Sequence, residues 1–179
     1  MSDDNIKLPF ILLEDDIVHT GLDKFVFEVP DDADALYLGI SQWGRMLNFS
    51  GPFTHYKIVN ADVVKVYNML STHAIVYFSE DYRRHLKRTS YYSGYKSHYH
   101  VDVEYAESQK YYNVYALDLP LFAQEGYNQG VTGQRLSDIG IHVNGKPNVF
   151  DQAKWDLNKI NNVADVSGVR SFYDPQPWF

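Results

Sequence analysis

Tyr95-Lys-Ser-His-Tyr-His-Val-Asp-Val-Glu-Tyr105 carries the clearest periodicity in the chain. Tyr95, Ser97, Tyr99, Val101, Val103 and Tyr105 fall on one side of it, and Lys96, His98, His100, Asp102 and Glu104 on the other. Alternation of this kind predicts a half-buried β-strand, because successive side chains of an extended chain point to opposite faces. Working outward, strand composition recurs in short runs. Upstream lie Phe25 to Val29, stopped by Pro30, then Ala35 to Ile40, Asp62 to Leu70 and His73 to Phe78. The third of these is rich in β-branched residues, although Asn60 has the chemistry to cap a short helix. Downstream, Glu107 to Lys110 reads as a turn into Tyr111 to Leu119, which Pro120 ends.

The C-terminal third repeats the pattern. Gly126 to Gly133 reads as a loop, Leu136 to Val143 as a strand closed by the turn pair Asn144-Gly145, and Trp155 to Val163 as an interrupted strand. No segment holds an amphipathic helical period beyond one or two turns. The expectation is therefore all-β: a single β-sandwich of jelly-roll type over residues 1–179, with long loops. Residues 161–179, ending in the proline-containing Tyr173–Phe179, are expected to form an extended tail that packs on a partner.

Composition limits the function. A chain of 179 residues with 45% hydrophobic and 22% charged side chains can bury a core of its own. Zero cysteines exclude disulfides, thiol catalysis and thiolate metal sites. The longest apolar runs, Phe10 to Leu13 and Ala74 to Phe78, are too short to cross a membrane. Met1 to Asn5 has neither the basic nor the apolar region of a secretory signal, which is compatible with cytoplasmic synthesis and incorporation into a particle.

Charge and tyrosine are unevenly spread. The net charge is −7, yet Asp81 to His100 holds five basic residues and one acid, a local +4 that leaves −11 elsewhere. Nine of the fifteen tyrosines lie between Tyr82 and Tyr115. Tyrosine combines a rigid apolar face with a polar tip, and arginine offers planar donors, so both suit contact surfaces. This marks Arg83, Arg84, Lys87, Arg88, Tyr91, Tyr92 and Tyr95 as a partner-binding or glycan-binding set, with Trp178 in the tail. The competing reading places Tyr99, Tyr105 and Tyr115 on half-buried strands and the basic run in a solvated connector. Nucleic acid is disfavoured by the overall acidity.

His98 and His100 would share one face of a strand, with Glu104 further along it. The spacing His-x-His-x₃-Glu resembles the first metal motif of cupins. The flanking glycines and a second histidine motif are missing, and three ligands on a straight strand would span ~20 Å. A symmetric trimer would instead gather the two histidines around its axis. The metal reading thus falls on His98 and His100. No catalytic residue emerges: a Gly-x-Ser-x-Gly elbow and a P-loop are both missing. The adjacent carboxylates Glu14, Asp15 and Asp16, and Asp31 with Asp32, sit in turns, where solvation or capping is their usual role. Trp43, Trp155 and Trp178 have the chemistry of sugar platforms, against the commoner role of a tryptophan as a core or rim residue.

Leu136-Ser-Asp-Ile-Gly-Ile-His-Val and Lys154-Trp-Asp-Leu-Asn-Lys-Ile, within residues 136–166, resemble the closing strands of galactose-binding-like, carbohydrate-binding jelly rolls. That resemblance implies a fold rather than a ligand. The function expected is a non-catalytic structural or attachment subunit of a larger assembly: a capsid decoration, tail or adsorption protein of a bacteriophage or virus. It would need no cofactor and would contact copies of itself or other subunits. A carbohydrate-binding module is the alternative, and a metal-dependent cupin-like enzyme the third reading.

Overall fold

A computed structural model describes residues 6–45, 50–51, 54–92, 100–125 and 133–144. In chain order the elements are β1 (Phe10–Leu13), β2 (Ile17–His19), β3 (Ala35–Tyr37), β4 (Gly44–Arg45), β5 (Ser50–Gly51), β6 (His55–Ile58), β7 (Val63–Val66) and β8 (Ala74–Tyr77). Then come α1 (Glu80–Tyr92), α2 (Val101–Ser108), β9 (Val114–Leu117), β10 (Phe122–Gln124), α3 (Leu136–Ile139) and β11 (Ile141–His142). The main sheet has seven strands in the order β1-β8-β3-β9-β7-β6-β11, and β2–β10 and β4–β5 form two small sheets. Pairings β3–β9 and β6–β11 are parallel, and the rest of the main sheet is antiparallel.

The pleat separates two cores. Ala35 and Tyr37, Val64 and Val66, Ile75 and Tyr77, and Val114 and Ala116 face one side, where Tyr82 and Leu86 of α1, Tyr105 of α2 and Leu136 of α3 cover them. Leu36, Val63, Ala74, Tyr115 and Leu117 face the other side, against Leu22, Phe27, Val29 and Leu121. β9 lies between β3 and β7 and is buried along its whole length, as a strand covered on both faces must be.

Among the described residues strands outweigh helices, as expected, but the fold is not all-β, and the jelly-roll arrangement does not appear among them. A jelly roll stacks two antiparallel sheets. Here the main sheet is mixed, and helices cover one of its faces. The residues that misled the sequence reading are informative. Ser79 Oγ accepts a hydrogen bond from the Tyr82 amide, and Glu80 and Asp81 sit in the first turn, so α1 starts with a capped, dipole-matched end. Its buried stripe is Tyr82, Arg83 and Leu86, and an arginine among the inward positions blurs the apolar period. Across 101–108 the alternating Val101, Val103 and Tyr105 belong to a helix. Val103 and Ala106 pack with Leu70, while Tyr105 turns into the main core.

Two further segments depart from expectation. Phe25 to Val29 forms no strand: Phe27 and Val29 pack across the face of the sheet, so its backbone meets no ladder edge. Phe25 and Val26 beside them are 67% and 82% exposed. Leu136 to Ile139 is a single helical turn, held by Asp118. That carboxylate accepts from the Ser137 amide at 2.7 Å, the Ser137 hydroxyl at 2.9 Å and Arg135 Nη1 at 2.9 Å.

Gly39 marks a close approach. A Cβ built there would lie 1.8 Å from Nε2 of His73, whose ring is 1% exposed. Gly39→Ala should therefore destabilise the protein by about 1–3 kcal/mol through overpacking. The double substitution Gly39→Ala/His73→Ala should be less destabilised than the sum of its two single substitutions. Urea unfolding of all four proteins checks this, and an unchanged midpoint for Gly39→Ala would remove the contact from the account.

Candidate functional site: a basic helix face and a buried histidine

On α1 the sequence-predicted basic residues separate by helical position. Arg83 is 2% exposed and grips Glu80 with two parallel bonds, Nε to Oε2 at 2.7 Å and Nη2 to Oε1 at 2.6 Å. Arg83 is thus a positioning residue inside the fold, and its assignment to a partner surface is corrected. Arg84 Nε also reaches Glu80 Oε1, at 3.0 Å. The Arg83 hydrogen bonds, reinforced by the Arg83 and Arg84 charges, hold the Glu80 carboxyl down at about 2. Arg84, Lys87, Arg88 and Tyr91 fall at i, i+3, i+4 and i+7 and form one exposed stripe. The Arg84 side chain is 71% exposed and Tyr91 is 66% exposed. Only the backbone of Tyr92 is described, and Tyr95 and Trp178 lie outside the described residues.

Most of the described tyrosines in this region point inward. Tyr82, Tyr105 and Tyr115 are buried, and Tyr112 is half-buried. Tyr77 and Tyr105 approach hydroxyl to hydroxyl at 3.4 Å, and Ser108 Oγ donates to the Tyr82 hydroxyl at 3.2 Å. Burial raises the pKa of Tyr37, Tyr77, Tyr82 and Tyr105, so these hydroxyls stay neutral. Rings continue outward through Tyr112, which packs on both Tyr82 and His85. Tyr115 was expected on a strand and is found there, in β9, its hydroxyl donating to Asp32 at 2.9 Å.

The expected metal pair changes character. His100 is exposed at the N-cap of α2, and Asp102 and Glu104 belong to that helix, so residues 100–104 do not share a strand face. His98 lies outside the described residues. Among the described residues no group of three or more histidine, aspartate or glutamate side chains is placed to hold a metal ion.

One constellation was missed. His73 Nδ1 lies 2.8 Å from Ser71 Oγ, and the Glu14 amide donates to the His73 carbonyl at 3.0 Å. Thr72 donates to Glu14, and Gln124 Nε2 donates to Glu14 at 3.1 Å and Asp16 at 3.3 Å. The signal available was Glu14-Asp15-Asp16 with Ser71-Thr72-His73, two polar triplets flanking apolar runs. Sequence reading assigned the first to solvation, because the contact between them is 58 residues apart. A hydroxyl–imidazole pair suggests a nucleophile, but this ring is packed against Gly39.

Comparison with protein-family models, curated proteins and solved structures gives no match. The site has to be read from its own chemistry.

Burial lowers the pKa of His73, while Glu14, the Phe122 backbone and Asp16 oppose that shift more weakly. A histidine with a depressed folded pKa favours the fold above the ordinary value of ~6.5 and loses that advantage as pH falls below it. His73→Gln should thus be less stable than wild type near pH 7.5, and the gap should narrow towards about pH 5. Urea midpoints at the two pH values measure this. A gap that widens in acid would mean a charged His73 paired with Glu14 and Asp16.

Proposed function

We propose that the protein is a non-catalytic structural or attachment subunit of a larger assembly, in a bacteriophage or viral particle, and that α1 is its docking face. The observation that carries this reading is the exposed stripe Arg84, Lys87, Arg88 and Tyr91 on a chain whose net charge is −7. Such a stripe draws in an acidic surface, sets register through arginine and lysine, and supplies an aromatic face to desolvate. The acidic remainder of a second copy has the matching charge. The particle context does not depend on a jelly roll in particular. The mixed, helix-covered sheet lends no weight to the analogy with jelly-roll shell proteins, so the charge pattern is the support.

Tyr91 also favours a second reading, a carbohydrate-binding module, since an exposed tyrosine can stack on a sugar ring. The likeness of residues 136–166 to galactose-binding-like modules belongs to that alternative. Saturable glycan binding that is lost in Tyr91→Ala, with no self-association, would favour it.

Light scattering across concentration separates the two. The mass in solution should exceed 20.7 kDa at about 0.1 M salt and fall towards it at about 1 M, where the screening length drops from ~10 to ~3 Å. Lys87→Glu/Arg88→Glu should stay monomeric at both. A wild-type monomer under all conditions, or assembly unchanged by those substitutions, would overturn the docking role of α1.

A further inference from the structure

The α1 stripe needs a receiving surface, and the structure offers one of opposite character. Between Leu22 and Ala33 the chain crosses the face of the sheet remote from the helices, anchored by Leu22, Phe27, Val29 and Ala33. Phe25, one face of whose ring stacks on His19 at 6.0 Å, and Val26 are largely exposed on this segment. Exposed acids, Asp23, Glu28 and Asp31, flank that pair. The one basic residue within it, Lys24, is spent on Asp62 at 2.6 Å and lies over the Phe27 ring. Two large exposed apolar side chains on a segment that also carries three exposed acids make a poor solvent surface and a good contact surface.

We propose that the Phe25–Val26 tip of one copy receives the α1 face of a second copy, so that the protein associates head to tail. The inference rests on the docking role of α1 proposed above and adds its partner and its geometry. Charge complementarity identifies the occupant: Arg84, Lys87 and Arg88 would meet Asp23, Glu28 and Asp31, and Tyr91 would meet Phe25. The two surfaces lie on opposite faces of the same sheet, since α1 covers the side of Tyr37 and Ile75, and the 22–33 segment covers the side of Leu36 and Val63. A two-fold dimer brings one patch onto its own copy, whereas two different patches on opposite faces make a heterologous contact. An open assembly then keeps one unused surface at each end, an α1 face at one and a Phe25–Val26 tip at the other, so it closes into a ring or extends as a filament. Both patches are small, so the association depends on concentration and salt.

Mixing two disabled proteins tests this. Lys87→Glu/Arg88→Glu removes the donor face, and Phe25→Ser/Val26→Ser removes the receiver. All four positions are exposed, and circular dichroism with thermal melting verifies that each variant keeps the fold. Each alone should stay at 20.7 kDa where wild type assembles. An equimolar mixture should form a complex of twice that mass and nothing larger, because one intact donor meets one intact receiver. Two outcomes overturn the inference and leave the α1 reading standing. In one, Phe25→Ser/Val26→Ser assembles like wild type while Lys87→Glu/Arg88→Glu does not. In the other, a mixture of two monomeric variants remains monomeric. Assembly of Lys87→Glu/Arg88→Glu at wild-type strength, or a wild type that never associates, overturns the α1 reading and this inference together.

Discussion

Val114 to Leu117 has to be covered above and below, and the rest of the architecture answers that requirement. β9 hydrogen-bonds to β3 on one side and β7 on the other, so its side chains must find apolar partners in two separate layers. Helices fill one layer and the extended 22–33 segment fills the other. Asp34 ties this centre together: its carboxylate accepts from the Asn113 amide at 2.8 Å, and its carbonyl accepts from Phe78 at 3.0 Å. The entry to β9 and the exit from β8 are thus fixed to the start of β3. Losing burial on either side of β9 would expose groups that no edge strand exposes.

Covering a sheet with helices leaves polar backbone at every junction, and long-range side-chain clamps satisfy it. Gln109 reproduces a ladder pair with Met69, Nε2 donating to the carbonyl and Oε1 accepting from the amide, both at 2.8 Å. The end of α2 is thereby joined to the segment that follows β7. Asn68 does the same between strands, accepting from the His55 amide and donating to the Arg45 carbonyl. Asp118 secures α3 and so delivers β11 to its parallel place beside β6. A buried acceptor left unpaired costs about 1–3 kcal/mol, which makes each clamp expensive to remove. The hydroxyls of Tyr77, Tyr82 and Tyr105 belong to the same economy: large rings fill volume beneath the helices, and hydroxyls close on one another and on Ser108.

The layered arrangement also sorts charge. Outward positions of α1 carry Arg84, Lys87 and Arg88 after the exposed Asp81 of its first turn, whereas the exposed acids Asp23, Glu28 and Asp31 belong to the segment on the opposite side of the sheet. Glu80 neutralises part of the basic face from within, and Arg83 is withdrawn into the core by the same carboxylate.

The sequence by itself determined the strands at the centre. Ala35–Tyr37, Val63–Val66, Ala74–Tyr77 and Val114–Leu117 are read from β-branched and aromatic runs whose composition is local. It also determined the charge anomaly and its position, because charge is additive along a chain. Only the tertiary structure decided that 80–92, read as a connector, and 101–108, read in part as a strand, are helices. Their inward faces contain Arg83, paired with Glu80 of its own helix, and Ser108, which reaches Tyr82, so the apolar period that announces a helix is broken. Tertiary structure likewise decided which basic residues face outward, and joined Glu14 to Thr72 beside His73. Such contacts depend on which elements become neighbours, and neighbourhood is set by the burial of whole layers rather than by any residue's immediate sequence.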